Sequence, residues 1–180
     1  MNFKEYLEKK LIYKSSFIKR RSKEYLKKSR NNLIVTSVLL ELTKKDKIKK
    51  ELGIPEDFSA GEWIAIIGYY SMYMASLALL AKVGYVSKNH TATIVGLEEF
   101  FVKKRYLEKK YIDLLKESKL QKETIDNLIM AREKREIAQY SITKETTKII
   151  AKEILENAYK FIDVIENLIK KIEIEQSKGF

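Results

Sequence analysis

The 180-residue chain reads as an all-α protein, an up-and-down bundle of about five helices. Three observations predict this. One Pro and six Gly leave few places for the tight turns that a β-sandwich or barrel requires. Apolar residues recur at three-, four- and seven-residue steps over long stretches, as on a helix with one buried face. Residues 63–81 carry no charge over 19 positions and supply an apolar helix for amphipathic neighbours to cover.

Residues 2–50 read as helical, with Leu26, Leu33 and Leu40 recurring every seven and Ile34 and Val38 on a neighbouring line. Gly53 ends that region and Pro55 forbids its continuation, while Ser59 and Glu62 form a capping box for the next helix. That helix covers about residues 60–83 and stops at Gly84. Its length also suits a membrane span. However, Tyr69, Tyr70, Ser71 and Tyr73 fall near its middle, where hydrocarbon would leave hydroxyls seeking partners. The expectation is a buried core helix, with a membrane-anchored helical protein as an alternative.

Residues 87–91 (SKNHT) make a polar entry to a third helix bearing Ile94, Leu97, Phe101 and Val102. A fourth helical region spans about residues 105–140, with a soft interruption at 118–122. The last helix, about 143–176, places Ile150, Ile154, Ala158, Phe161, Ile165, Leu168 and Ile172 on one face. No 20–50-residue repeat and no low-complexity linker divides the chain, so a single domain over residues 1–180 is expected. The N-terminus (MNFKEYLEKK) is charged throughout and lacks the apolar core of a cleavable signal, which predicts a cytoplasmic protein without membrane attachment.

Composition excludes several chemistries. With no Cys there is no disulfide, thiolate zinc site or cysteine nucleophile. With one His there is no His–His metal pair. The chain has no Glu-x-x-His pair, no His-Glu-x-x-His and no Gly-rich phosphate loop, so neither a metal nor a cofactor is expected.

The formal net charge of +11 is unevenly spread. Residues 1–50 hold 16 Lys+Arg against 5 Asp+Glu, whereas residues 51–180 hold 20 of each sign. Such asymmetry suits phosphate, an acidic partner or an anionic surface. Arg20, Lys23, Lys27 and Arg30 fall on one helical face, with Tyr13, Phe17 and Tyr25 interleaved. This stripe is either a nucleic-acid contact surface or a solvated lysine-rich face.

Two further places carry polar chemistry. His90 precedes a helix, where it is either a structural or capping side chain or a neutral general base. Near the end of the fourth helix, Arg135, Gln139 and Tyr140 bring a guanidinium, an amide and a phenol into one neighbourhood. That set suits a phosphate or a base edge better than proton abstraction, because a phenol has an ordinary pKa near ~10.

The run at residues 68–90 (GYYSMYMASLALLAKVGYVSKNH) resembles the signature of prokaryotic HEPN-domain proteins. In that family a Tyr-Tyr-x-Met-aromatic helix leads through Leu-Leu-x-x-x-Gly-Tyr to a Lys-x-His helix entry. Residues 135–140 (REIAQY) are similar to the family's later Arg-x-x-Ala-Asp-Tyr element, with Gln139 where Asp is common. The resemblance covers about residues 20–172 and implies a helical bundle, often a homodimer. It also implies a minimal nucleotidyltransferase as partner in a toxin–antitoxin pair, and RNA or a nucleotide as ligand.

Many members are metal-independent ribonucleases built on an Arg, four to six intervening residues and a His. The resemblance places Arg135 and Tyr140 at those catalytic positions, with Tyr140 standing where the His would be. Tyr69, Tyr70, His90 and Gln139 become motif residues of structural use. The resulting expectation is an RNA- or nucleotide-binding, toxin-type subunit with weak or absent ribonuclease activity. The alternative is a non-enzymatic dimerisation module for a protein partner.

Overall fold

The computed structural model describes residues 2–56, 58–134 and 140–177, and side chains outside 128–146 within them. Short elements open the chain. They are α1 (Phe3–Glu8), β1 (Ile12–Lys14) and a 3-10 turn at Phe17–Arg20. They lead to α2 (Arg21–Lys44), α3 (Asp46–Glu51) and α4 (Gly61–Lys82). After β2 (Tyr85–Ser87) come α5 (His90–Leu97), a π turn (Glu98–Val102), α6 (Lys109–Lys134) and α7 (Tyr140–Ser177). The all-α expectation holds, with one small β ribbon added.

Helix α4 forms the centre. Ile64, Ala65, Met72, Ala75, Ala78, Leu79 and Leu80 are all buried, because α2, α6 and α7 cover different sides of it. Among the described residues it is the one helix long and apolar enough to cross a membrane, and most of its apolar stretch is enclosed by protein. Helix α2 runs antiparallel to it: Ser22 Oγ donates to the Ala78 carbonyl, and Ser29 Oγ to the Ser71 carbonyl, both at 2.8 Å. Ser71 Oγ returns a bond to the Ser29 carbonyl at 2.8 Å.

Ser22, Ser29 and Thr36, each seven residues apart, therefore form the buried seam of α2 together with Leu33. Small side chains let the two backbones approach and exchange hydrogen bonds. Ile34 and Val38, expected on the buried side, are each 60% exposed, because the seam of small residues turns them outward.

Helix α7 runs parallel to α4. An added Cβ on Gly61 would meet Thr147 Cγ2 at 3.0 Å, and one on Gly68 would meet Ile154 Cγ2 at 3.0 Å. At the far end Lys82 donates to Glu173 at 2.8 Å. The parallel pair is possible because α5 and α6 intervene and return the chain. Along α6, Lys116 reaches Glu98, and Lys119 and Lys122 lie beside His90, so α6 runs back along α5 and the π turn.

Several local expectations shift. Residues 2–50 are not helical throughout: β1 pairs antiparallel with β2, Ile12 opposite Ser87 and Lys14 opposite Tyr85. Ile12 is wholly buried beside Tyr6 and Ala92 in a small second core. Gly84, at φ +85°, makes the left-handed turn from α4 into β2. Ser59 is not the cap of α4, since Ala60 holds that position without a side-chain hydrogen bond. Helix α6 passes unbroken through residues 118–122, with Ser118 buried.

Candidate functional site

The motif residues of α4 and α5 meet in one aromatic cluster. Tyr69 and Tyr73 stand one helical turn apart on α4, and His90 is the first residue of α5. Asn89 caps α5 by accepting the Ala92 N–H at 2.8 Å, which fixes the backbone from which the imidazole projects. His90 stacks on Tyr73 with ring centroids 4.0 Å apart and planes inclined by 18°. Tyr70 meets it edge-on at 5.9 Å, and the Tyr69 hydroxyl lies 2.5 Å from His90 Nδ1.

Burial governs the charge state of both partners in that short bond. Burial, then Lys119 and Lys122, lower the His90 pKa below the ordinary imidazole range, with Glu123 opposing. Burial, then the neighbouring tyrosines Tyr73 and Tyr70, raise the Tyr69 phenol above its ordinary range. Both groups are therefore neutral near pH 7. The Tyr69 hydroxyl and His90 Nδ1 share one hydrogen bond, in which the phenol donates or accepts according to the imidazole tautomer.

Beside the cluster is a cleft of about 60 Å³ bounded by Tyr69, Tyr70, His90, Lys119, Lys122 and Glu123. It has room for a water or a single polar group and none for a nucleotide. Its lysines are already engaged on α6: Lys119 lies 2.9 Å from Glu123, and Lys122 pairs with Asp126. Among the described residues no group of three or more His, Cys, Asp or Glu could hold a metal. Lys119, Lys122 and Glu123 carry no local sequence signal, because only the return of α6 along α5 brings them to His90.

The basic stripe divides in two. Arg20, Lys23 and Lys27 are exposed, and among the described residues none of them has a carboxylate within 4 Å. Phe17, on the preceding turn, is 76% exposed. Arg30 is different. Its Nε lies 2.5 Å from Glu166 Oε1, and its Nη2 lies 2.6 Å from Glu166 Oε2 and 2.7 Å from Asp163 Oδ1. The hydrogen bonds to Glu166 raise the guanidinium pKa even further above neutrality. Arg30 thus braces α2 against α7, and its charge is met within the fold.

Arg135 and Gln139 lie outside the described residues, and Tyr140 is described only as the first residue of α7. Comparisons with protein-family models, with curated proteins and with solved structures return no match to this chain. The site is therefore read from its own chemistry.

Proposed function

We propose that this chain is a HEPN-like, RNA-associated protein that binds single-stranded RNA through Arg20, Lys23 and Lys27, with Phe17 as a stacking platform. The observation that carries this reading is the exposed stripe itself: three exposed cations with no carboxylate within 4 Å among the described residues, following an exposed aromatic ring. Cations track the phosphate backbone, and an aromatic face accepts any base. The uneven charge of the sequence supports the same reading, since the excess lies in residues 1–50.

In this reading Arg135 is a phosphate-binding group, and with Tyr140 in place of an imidazole, cleavage is weak or absent. The aromatic cluster around His90 is structural in this reading, because Tyr69 engages its Nδ1 and Tyr73 stacks on its ring. The homodimer and the nucleotidyltransferase partner belong to the same proposal and rest on the resemblance.

The test is RNA binding as a function of salt. Wild-type protein is expected to bind a single-stranded oligoribonucleotide with a steep salt slope. Arg20→Glu, Lys23→Glu and Lys27→Glu together should make that slope shallower by about 2, at about 0.7 per phosphate contact. An unchanged slope would overturn the contact surface. Robust cleavage in EDTA that is abolished by Arg135→Ala would overturn the non-catalytic part.

A second reading, a dimerisation module for a protein partner, is favoured by one observation. Ile34, Val35 and Val38 form an exposed apolar row on α2, close to the half-exposed Tyr159 of α7. It predicts no RNA affinity at physiological salt.

A further inference from the structure

At the opposite end of α2 from the stripe is a cavity of about 360 Å³, a size suited to a small-molecule ligand. It lies where α2 ends, α3 crosses, and α4 and α7 begin. Its apolar wall includes Leu40, Phe58 and Ile64.

The polar wall is strongly cationic. Lys44, Lys49, Lys148 and Lys152 line it, against one carboxylate among the described residues, Glu56. Lys49 is only 7% exposed, an uncommon place for an ammonium. Burial of that charge is costly without compensating anions. Its ion-pair partner among the described residues is Asp46, at 2.7 Å, whose own side chain is largely in solvent. An ammonium carries three N–H donors, so one carboxylate oxygen leaves capacity facing the cavity.

Lys148 and Lys152 are four apart on α7 and present two exposed cations along the same wall, neither with a carboxylate within 4 Å among the described residues. Lys44 is partly offset by Glu41 at 3.1 Å. Gly61, the first residue of α4, also lines the cavity. Its cap position, Ala60, makes no side-chain hydrogen bond to the helix start, where the positive end of the helix dipole is offset by Glu62 in the first turn.

We infer that this cavity binds a phosphate monoester of mononucleotide size, its phosphate among Lys49, Lys148 and Lys152 and its planar portion against Phe58. The shared chemistry has two sources, a free nucleotide or the terminal nucleotide of an RNA. The inference does not rest on RNA binding at the stripe, because Lys27 and Lys44 are 17 residues apart on α2, about 25 Å along the axis.

The experiment is calorimetric titration of the full chain with AMP, with adenosine and with AMP against variants. AMP is expected to bind at least about tenfold more tightly than adenosine, since removal of a phosphate from a cationic pocket forfeits charge-assisted bonds. Lys148→Glu with Lys152→Glu, both on exposed positions, should weaken AMP by at least about tenfold. The triple stripe variant should bind AMP as the wild type does.

Failure of AMP to bind at millimolar concentration, equal affinity for adenosine, or an unaffected double variant each overturns the inference. Lys49→Met should also abolish binding; where that variant does not fold, the surface pair carries the test. A 5′-phosphorylated ten-nucleotide RNA that displaces AMP, where its 5′-hydroxyl counterpart does not, supports the site and assigns it to an RNA terminus. If neither RNA displaces bound AMP, the site is supported as one for free nucleotide.

Discussion

His90 and Arg30 show how far a single side chain's role depends on partners remote in sequence. Tyr69 is 21 residues from His90, and Asp163 and Glu166 are 133 and 136 residues from Arg30. The folded protein holds the His90 pKa below its unfolded value of about 6.5. The unfolded chain therefore binds the proton more readily. Stability from this residue is present above about pH 6.5 and is lost as pH falls through the lower folded pKa. Thermal melts between pH 7.5 and 5 should show a falling midpoint, and His90→Gln should flatten that part of the curve. An identical pH dependence in the variant would assign the effect to other groups. For Arg30, the prediction is a loss of about 1 kcal/mol on Arg30→Lys, since an ammonium cannot span both carboxylates as the fork does. Denaturant titration measures it.

Between elements, the tight contacts belong to small residues. Gly68→Ala places a methyl 3.0 Å from Ile154 Cγ2, a buried, β-branched side chain with little room to give. The helix-propensity gain of about 1 kcal/mol is outweighed by overpacking of about 1–3 kcal/mol. The expected net loss is about 1 kcal/mol, seen as a midpoint about 2–4 °C lower. At the α2–α4 seam, Ser29→Val removes one bond of a reciprocal pair and adds bulk where backbones are close. A loss of about 2–3 kcal/mol is expected in urea titration. A loss below about 0.5 kcal/mol would show that the seam tolerates separation. The long helices were legible in the sequence because their periodicity is local: Gly84 stops α4 as expected, and α5 starts within the polar entry at residues 87–91, with His90 as its first residue rather than before it. The seam itself was less so, because Leu and Ile dominate a hydrophobic pattern while Ser22, Ser29 and Thr36 carry the contact. The β ribbon was hidden for another reason: Ile12-Tyr13-Lys14 becomes a strand only beside Tyr85-Val86-Ser87.

Across the whole molecule, charge is distributed by end as well as by segment. The stripe occupies the start of α2, and the lysine-lined cavity lies at its finish, where α3 and α7 add Lys49, Lys148 and Lys152 to Lys44. The stripe was readable from spacing, apart from Arg30, whose acidic partners lie on α7. The cavity was not, since Lys148 and Lys152 join it only when α7 comes to lie alongside α4. The two features should respond independently: the triple stripe variant loses salt-dependent RNA affinity, and the Lys148–Lys152 variant loses AMP. A double-reciprocal set of titrations on the two variants checks that separation, and loss of both ligands in either one would sink it.

The pairing of β1 with β2 also sets a timetable. Ile12 is sealed only when Ser87 arrives, 75 residues later in the chain. At a synthesis rate of about 5–20 residues per second, that is a wait of about 4–15 s. During that interval Tyr6 and Ile12 lack Tyr85, Ala92 and Val95, which complete the small core around them. The segment that must wait is the one with 16 Lys+Arg against 5 Asp+Glu, and mutual repulsion between such nascent chains opposes their association. The same positive charge that marks the mature surface thus protects the chain while its first strand is still alone.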